Sequence, residues 1–142
     1  MDELKEIESV LTLESLIVEE ISFKRDPALA NITDMIKSKI GFCREIEYIG
    51  DDEDEAKVSL SMSMKHKTGA VELFIKMSGY FQIQSNVDID LKKELFERNA
   101  VAIIFPYLRG QLSILTAQPG FTPVVLPAIN IVNLLEKDND EF

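Results

Sequence analysis

The sequence is short of the residues on which several kinds of site depend. It has one cysteine, Cys43, so an intramolecular disulfide is excluded, which fits a reducing compartment and leads us to expect a cytoplasmic protein. It has one histidine, His66, and Cys43 is the only other soft ligand that could join it in a zinc site. We therefore expect neither a metal nor a cofactor.

Long apolar runs are also missing. The longest, Ala100 to Phe105, has six residues, far below the ~20 that a membrane-spanning helix needs. The first residues, MDELKEIESV, contain no basic stretch followed by an apolar one, so they do not predict a signal peptide. The sequence thus predicts no membrane insertion.

Catalytic motifs are absent as well. The chain contains no GxSxG, HExxH, CxxC or glycine-rich phosphate loop. A single histidine on a predicted strand gives no basis for a histidine–serine or histidine–cysteine pair, and the carboxylates lie in acidic runs that are usually solvated. We expect a protein that is not an enzyme.

Negative charge is abundant, with a formal net charge of −10. It is concentrated in Asp51 to Glu55 and in Glu136 to Glu141. Such a balance repels phosphate backbones and anionic membrane surfaces, so we expect no nucleic-acid partner. Each run is interpreted as a solvated segment, a loop and an acidic tail over residues 137–142, or alternatively as a docking surface for a basic partner.

The length of 142 residues predicts one domain over residues 1–142. Strict alternation of apolar and polar residues predicts a strand that ends near His66 and has one solvated face, as in antiparallel sheets. Thr68-Gly69 predicts a tight turn into a further strand over about 71–83, in which Gly79 indicates a bulge or a close approach of the backbone. The apolar residues of the first of these strands are Val58, Leu60, Met62 and Met64.

Two earlier strands are predicted, with a crossover segment between them. The first starts at Leu11 and stops before Asp26, with one face formed by Leu11, Leu13, Ile17, Ile21 and Phe23. Residues 28–40 are expected to form a short amphipathic helix or a structured crossover. The next strand, about 41–49, places on one side Phe42, Arg44, Ile46 and Tyr48.

A long helix is predicted from Leu91 to about Thr116. It is apolar on all sides near its middle, and a helix that packs on one sheet needs only a stripe of about 100°. The excess apolar surface predicts self-association through this helix. Pro106 is expected to kink or divide it, and a proline-rich loop then leads to a short helix from Ile131 to about Glu136. The later residues of the helix form two apolar stripes. One consists of Leu108, Leu112 and Leu115, and the other consists of Tyr107 and Ile114.

Four segments together resemble the SecB protein-export chaperones. They are Glu20-Ile21-Ser22-Phe23, Ile103-Ile104-Phe105-Pro106-Tyr107-Leu108-Arg109, Gly120-Phe121-Thr122-Pro123 and Leu126-Pro127-Ala128-Ile129-Asn130. Their order and spacing extend the resemblance over roughly residues 11–136. It implies an α+β fold in which a four-stranded antiparallel sheet packs on a long C-terminal helix, with a short terminal helix after it.

The resemblance also implies partners. It implies a homotetramer, built as a dimer of dimers with the long helices between two sheets, and delivery of clients to the motor ATPase SecA. On this mapping Glu20 and Glu72 are the expected translocase contacts, whereas Lys24 and Phe74 stand at or near positions where the exporters carry an acid. Some SecB-like proteins instead guard an antitoxin, which is an alternative role.

The function expected from the resemblance is that of a holdase for unfolded polypeptide. Flexible and aromatic side chains accept many client sequences because they can repack. The candidates for the client surface are Met35, Phe42, Ile46, Tyr48 and Phe121. The candidates for the oligomer interface on the helix are Ile104, Phe105, Leu108 and Leu112. The client candidates are alternatively ordinary core residues, and the chain is alternatively a non-catalytic oligomer that binds a small ligand.

Overall fold

A computed structural model describes residues 10–27, 38–84 and 87–140 of the chain. Its four strands form one antiparallel sheet in the order β1-β4-β3-β2, which confirms the predicted sheet. Strand β2 begins at Ser38, a little before the predicted start, so residues 38–40 belong to the strand and not to the crossover. The strands are β1 (Leu11–Arg25), β2 (Ser38–Ile49), β3 (Glu55–His66) and β4 (Val71–Ile83).

The long helix is continuous but not regular. It consists of α1 (Ile89–Glu94), a π-helical turn (Leu95–Asn99) and α2 (Ala100–Thr116), and α3 (Ile131–Asp140) follows the loop. The predicted long helix and short terminal helix are therefore confirmed, although α3 continues into the residues predicted as an acidic tail.

Pro106 does not divide the helix, so of the two predicted outcomes, a kink or a division, the division was wrong. The chain stays helical from Ala100 to Thr116 although Pro106 cannot donate to the carbonyl of Ala102. Both residues lie on the exposed side of α2, where water can hydrogen-bond the freed carbonyl. The irregularity in this helix lies about two to three turns earlier, in the π-helical turn.

The core lies between the sheet and the long helix. Strands β3 and β4 occupy the middle of the sheet, and their inner side chains are almost wholly buried because the helix covers them. The large buried side chains include Leu60, Met62, Met64, Ile75, Phe81 and Ile83 from the sheet and Phe96, Ile104, Leu108 and Leu112 from the helix.

Strand β1 carries two bulges, which change the predicted face of one residue. The register with β4 slips between Leu13 and Ser15 and again between Val18 and Glu20. Each bulge adds one residue and so shifts the side-chain alternation by one, and the second restores what the first displaced. Ile17 therefore lies opposite Ser78 on the outer face, contrary to the prediction. Leu16 and Val18, which interrupted the predicted pattern, take the inner positions.

Gly79 marks a close approach, as its place inside a strand indicated. A Cβ atom at this position would lie 2.6 Å from the Phe81 ring and 3.1 Å from Cδ1 of Leu13. The Phe81 ring is itself fully buried, so it has no free space into which to move. The absence of a side chain at residue 79 thus lets the ring lie across the strand.

We expect the substitution Gly79→Ala to destabilise the fold by about 1–3 kcal/mol, because overpacking forces a buried ring out of its position. Urea unfolding followed by circular dichroism measures the change. The substitution Gln82→Ala, at an exposed position of the same strand, is the matched control and should change the unfolding free energy by less than about 0.5 kcal/mol. Equal stability of the two variants would contradict the close approach at Gly79.

Candidate functional site

The inner face of strand β2 holds a row of partly exposed apolar side chains. β2 is an edge strand, and its only sheet neighbour among the described strands is β3, so the long helix covers this row only in part. Phe42 and Ile46 are half-buried, and Tyr48 is 41% exposed. Three of the predicted client residues therefore lie together on one edge of the sheet, and we call Phe42, Ile46 and Tyr48 the β2 row.

Aromatic side chains of the helix support the β2 row from behind. The Phe42 ring packs edge-on against Phe105 with ring centroids 5.9 Å apart. The Tyr48 ring packs in the same way against Phe96 at 5.7 Å. These contacts fix one side of each ring and leave its other parts open at the edge of the sheet.

Arg44 interrupts the β2 row and holds it to the helix. Its Nη1 atom donates a hydrogen bond of 2.6 Å to the backbone carbonyl of Glu97, which lies in the π-helical turn. A π-helical turn alters the hydrogen bonding of the backbone around it, and such turns are frequent at functional sites. Sequence reasoning placed Arg44 on the inner face without a partner. The signal that it missed was this arginine itself, since a half-buried guanidinium needs an acceptor.

The Tyr48 phenol stays neutral at physiological pH. Burial raises the pKa of Tyr48 above its ordinary value of 10.0, and the nearby carboxylates of Glu97 and Glu53 raise it further. A neutral phenol presents an O–H donor at the rim of an otherwise apolar row.

Phe121 lies at the opposite edge of the sheet. Its ring packs edge-on against Phe23 of β1 at 5.5 Å, and the guanidinium carbon of Arg25 lies 5.8 Å from its centroid. Nη1 of Arg25 also donates to the carbonyl of Gly120 at 2.6 Å, so this residue fastens the proline-rich loop to β1. Three strand spacings, about 14 Å, separate β1 from β2, so within one protomer Phe121 does not join the β2 row. Met35 lies outside the described residues.

The four residues predicted for the oligomer interface are all buried inside the protomer. Ile104, Phe105, Leu108 and Leu112 face the sheet and are between 0 and 5% exposed. The exposed side of the helix carries a different apolar set, Ile103, Tyr107 and Ile114, which we call the outer stripe. Because α2 is apolar on nearly every side, periodicity alone could not tell its sheet-facing side from its outer side.

An ion-pair network crosses the outer face of the sheet. Glu19 of β1 pairs with Lys57 of β3, and Lys76 of β4 lies 3.5 Å from Glu19 and 3.4 Å from Glu45 of β2. Every strand contributes one member. The hydrogen bond with Lys57 lowers the pKa of Glu19, the same bond with Glu19 raises the pKa of Lys57, and the charge of Glu45 raises the pKa of Lys76.

The two predicted translocase contacts lie on this outer face. Glu20 is exposed and stands opposite Lys76 in the sheet register. Glu72 is also exposed, and its carboxylate lies 3.3 Å from Nζ of Lys65. Lys24 stands opposite Glu72 on the other side, so two lysines flank this carboxylate.

The chain matches the family model described as "Preprotein translocase subunit SecB" over residues 5–141. It belongs to the SecB family. Membership supports a chaperone role and agrees with the predicted resemblance. An uncharacterized protein of Methanocaldococcus jannaschii is 28% identical over 104 residues, which are 70% of this chain and 66% of that protein. The chain thus matches slightly less than two thirds of that relative's length.

Solved structures share the SecB-like fold. A SecB-like chaperone of Mycobacterium tuberculosis, in complex with a ChAD peptide from the HigA1 antitoxin, is similar with a TM-score of 0.64 and 10% identity, over 87% of this chain and 93% of that one. A protein of unknown function from Streptococcus agalactiae has a TM-score of 0.50 and 9% identity, over 83% and 97% of the two chains. At such identities the likeness concerns the fold alone.

Two further findings concern only the described part of the chain. No group of three or more histidine, cysteine, aspartate or glutamate side chains is arranged there to hold a metal ion. None of the helices within those residues has the length and apolar character needed to cross a membrane.

The outer-face network predicts a stability term that depends on pH. Folding lowers the pKa of Glu19 below its ordinary value of 4.5. The contribution of this carboxylate to the free energy of unfolding is therefore fully present above pH 4.5 and is lost as the pH falls through the lower pKa of the folded state. Folding raises the pKa values of Lys57 and Lys76 above 10.5, so the stability that these two lysines contribute is lost only as the pH rises above 10.5. We expect Glu19→Gln to lower the urea midpoint at neutral pH, and this difference from the unsubstituted protein to shrink below pH 4.5.

The matched control for that measurement is Glu20→Gln. Glu20 is the next residue and is equally acidic, but no lysine lies within ion-pair distance of it among the described residues. Its substitution should leave the midpoint nearly constant across the same pH range. Parallel pH curves for both variants would show that the network does not stabilise the fold.

Proposed function

We propose that the chain is a holdase that binds unfolded polypeptide on the β2 row and catalyses no reaction. The observation that carries this proposal is the position of Phe42, Ile46 and Tyr48, which face the core side of the sheet and yet stay partly open at its edge. Unfolded clients expose apolar segments, and burial of ~500 Å² of them is worth roughly 12 kcal/mol before the large entropic costs of binding.

The remaining client candidates extend this proposed surface. Phe121, fastened to β1 by Arg25, offers a second apolar contact about 14 Å from β2, so a client long enough to cross the sheet engages both edges. Met35 stays a proposed lining residue. The similar chaperone of Mycobacterium tuberculosis holds a peptide of an antitoxin, which supports polypeptide as the class of ligand.

The destination of the client is the finer part of the proposal. In export, SecA receives the client in the cytoplasm, and Glu20 and Glu72 are its proposed contacts. In the alternative role the client is an antitoxin. Polypeptides that copurify with the tagged chain separate the two, because export predicts SecA and secreted precursors whereas the other role predicts an antitoxin. A small-molecule ligand with no polypeptide would favour the non-catalytic ligand-binding alternative.

We further propose that the chain assembles as a homotetramer, a dimer of dimers, in which the outer stripe is covered. Tyr107 is 52% exposed and Ile114 66% exposed, which is apolar surface that water-facing helices usually lack. The four sheet-facing residues Ile104, Phe105, Leu108 and Leu112 then support the helix from within the protomer while the outer stripe makes the contact.

We expect the paired substitution Phe42→Ser and Tyr48→Ser to weaken capture of a reduced, unfolded client by about tenfold, since aromatic anchors commonly contribute 1–2 kcal/mol or more to an interface. Light scattering during dilution of the client measures capture at stoichiometric chaperone. Thermal unfolding checks that the variant is folded, because both rings also pack against the helix.

The matched control is Phe74→Ser. Phe74 is a half-buried aromatic residue on the opposite face of the sheet, so its loss removes a similar side chain without touching the β2 row. Capture should persist in this control. If the folded double variant protects the client as well as the control does, the β2 row is not the binding surface.

For the assembly we expect Tyr107→Asp with Ile114→Asp to yield a smaller particle, because two buried carboxylates per protomer would oppose the contact. Light scattering coupled to size-exclusion chromatography reports the mass. Gln82→Asp with Gln84→Asp adds the same charge at exposed positions at the end of β4, outside the helix, and should keep the original mass. An unchanged mass in the first variant would place the interface elsewhere.

A further inference from the structure

A row of lysines crosses one end of the outer sheet face. In the register of the sheet Lys24 stands opposite Glu72, Glu72 opposite Lys65, and Lys65 opposite Lys39, so one residue of each strand lies in line. All four are exposed. We call Lys24, Lys65 and Lys39 the lysine row. It is a local excess of positive charge on a chain whose net charge is −10.

The lysine row differs from the middle of the same face in its charge balance. In the middle, Lys57 and Lys76 are matched by Glu19 and Glu45. At the end, Glu72 lies between two lysines and pairs with Lys65 alone. Among the described residues, no carboxylate lies within ion-pair distance of Lys24 or Lys39.

Two further charges lie near this end. Lys67 follows β3 in the turn and is exposed, which adds to the positive excess. Asp26 follows β1, and it already takes part in an interaction of its own. Among the described residues, the excess of cations at this end therefore remains after Glu72 and Asp26 are counted.

The surface beside the lysine row is concave and partly apolar. A shallow depression of about 280 Å³ is lined by Lys24, Lys65, Glu72 and Phe74, with hydroxyl groups from Ser22 and Ser63. Phe74 stands between these two serines in the next row of the register. A half-buried ring with hydroxyls on both sides and cations beside it suits a peptide more than a free ion.

We infer that the lysine row docks an acidic, extended peptide segment of a partner protein. Three strand spacings, about 14 Å, separate Lys24 from Lys39, and an extended peptide covers that distance in about four residues. Carboxylates at alternate positions of such a segment would face the row. The surrounding protein is acidic and repels a long polyanion, whereas a short segment meets mainly the local field within about 8 Å.

This inference does not depend on the proposed client surface. The lysine row lies on the outer face, and the β2 row lies on the inner face of the same sheet. A partner docked on the lysines therefore leaves the client surface open. Reversal of the lysine charges should not change client capture, and loss of the β2 row should not change binding of an acidic peptide.

The test uses the full chain and a fluorescent peptide of alternating glutamate and serine, with binding measured by fluorescence anisotropy at physiological salt. We expect Lys24→Glu with Lys39→Glu to weaken binding by about tenfold or more, from the loss and reversal of two exposed charge contacts. Lys93→Glu with Lys137→Glu gives the same net charge at exposed sites on the helices and should bind as before.

The substitution Glu72→Gln tests whether the docked partner is acidic or basic. It removes the carboxylate that lies between Lys24 and Lys65. An acidic peptide should then bind a few times more tightly, whereas a basic partner docked through Glu72 would bind more weakly. The inference is overturned if both double variants lose binding equally, if a glutamine–serine peptide binds as well, or if a short single-stranded oligonucleotide outcompetes the peptide. It is also overturned if Glu72→Gln weakens binding of the acidic peptide.

Discussion

The width of one helix decides what this sheet buries and what it leaves open. A helix with its side chains is about 10 Å across, whereas four strands span about 14 Å between their outermost axes. The long helix therefore covers the two central strands, whose inner side chains are almost fully buried, and covers the edge strands β1 and β2 only in part. Both proposed client contacts, the β2 row and Phe121, lie where that cover ends.

The two faces of the sheet differ in their side-chain chemistry. The inner face is apolar and is completed at its edges by aromatic pairs and by Arg44, which binds the helix backbone. The outer face is polar, and the ion pairs at its centre cover the buried hydroxyl pair of Ser59 and Ser78, whose oxygens lie 2.7 Å apart. The proposed client capture on the inner face and the proposed peptide docking on the outer face can therefore proceed independently.

The pattern of apolar and polar residues within one segment predicted the strands and helices that depend on that segment alone. The alternation of apolar and polar residues predicted β3 and β4 because each of these strands packs its apolar face against the helix. The face of Ile17 could not be read because it depends on two bulges, which involve the register with a strand about sixty residues later. Which side of α2 faces outward was equally hidden, since Ile103 and Ile104 are chemically identical neighbours.

Pairing across the chain was the other unpredictable part of the site. The contact of Arg25 with Gly120 joins residues 95 positions apart, and nothing in either segment indicates the other. Arg44 and Glu97 are 53 residues apart, and the acceptor is a backbone carbonyl in a π-helical turn that the sequence did not predict. The resemblance to SecB supplied the architecture, and the positions of these side chains required the structure.

The π-helical turn has a consequence for how the helix accommodates its neighbours. One surplus residue in a helix rotates everything before it by about 100° relative to everything after it. Before the turn, Lys92 in α1 pairs with Asp54 of the acidic loop, 2.5 Å away, and after it α2 packs its buried side chains against the sheet. The two bulges of β1 cancel each other, whereas this single π-helical turn leaves the two halves of the helix in different rotational settings. The face that α1 turns toward the acidic loop is therefore not fixed by the face that α2 turns toward the sheet.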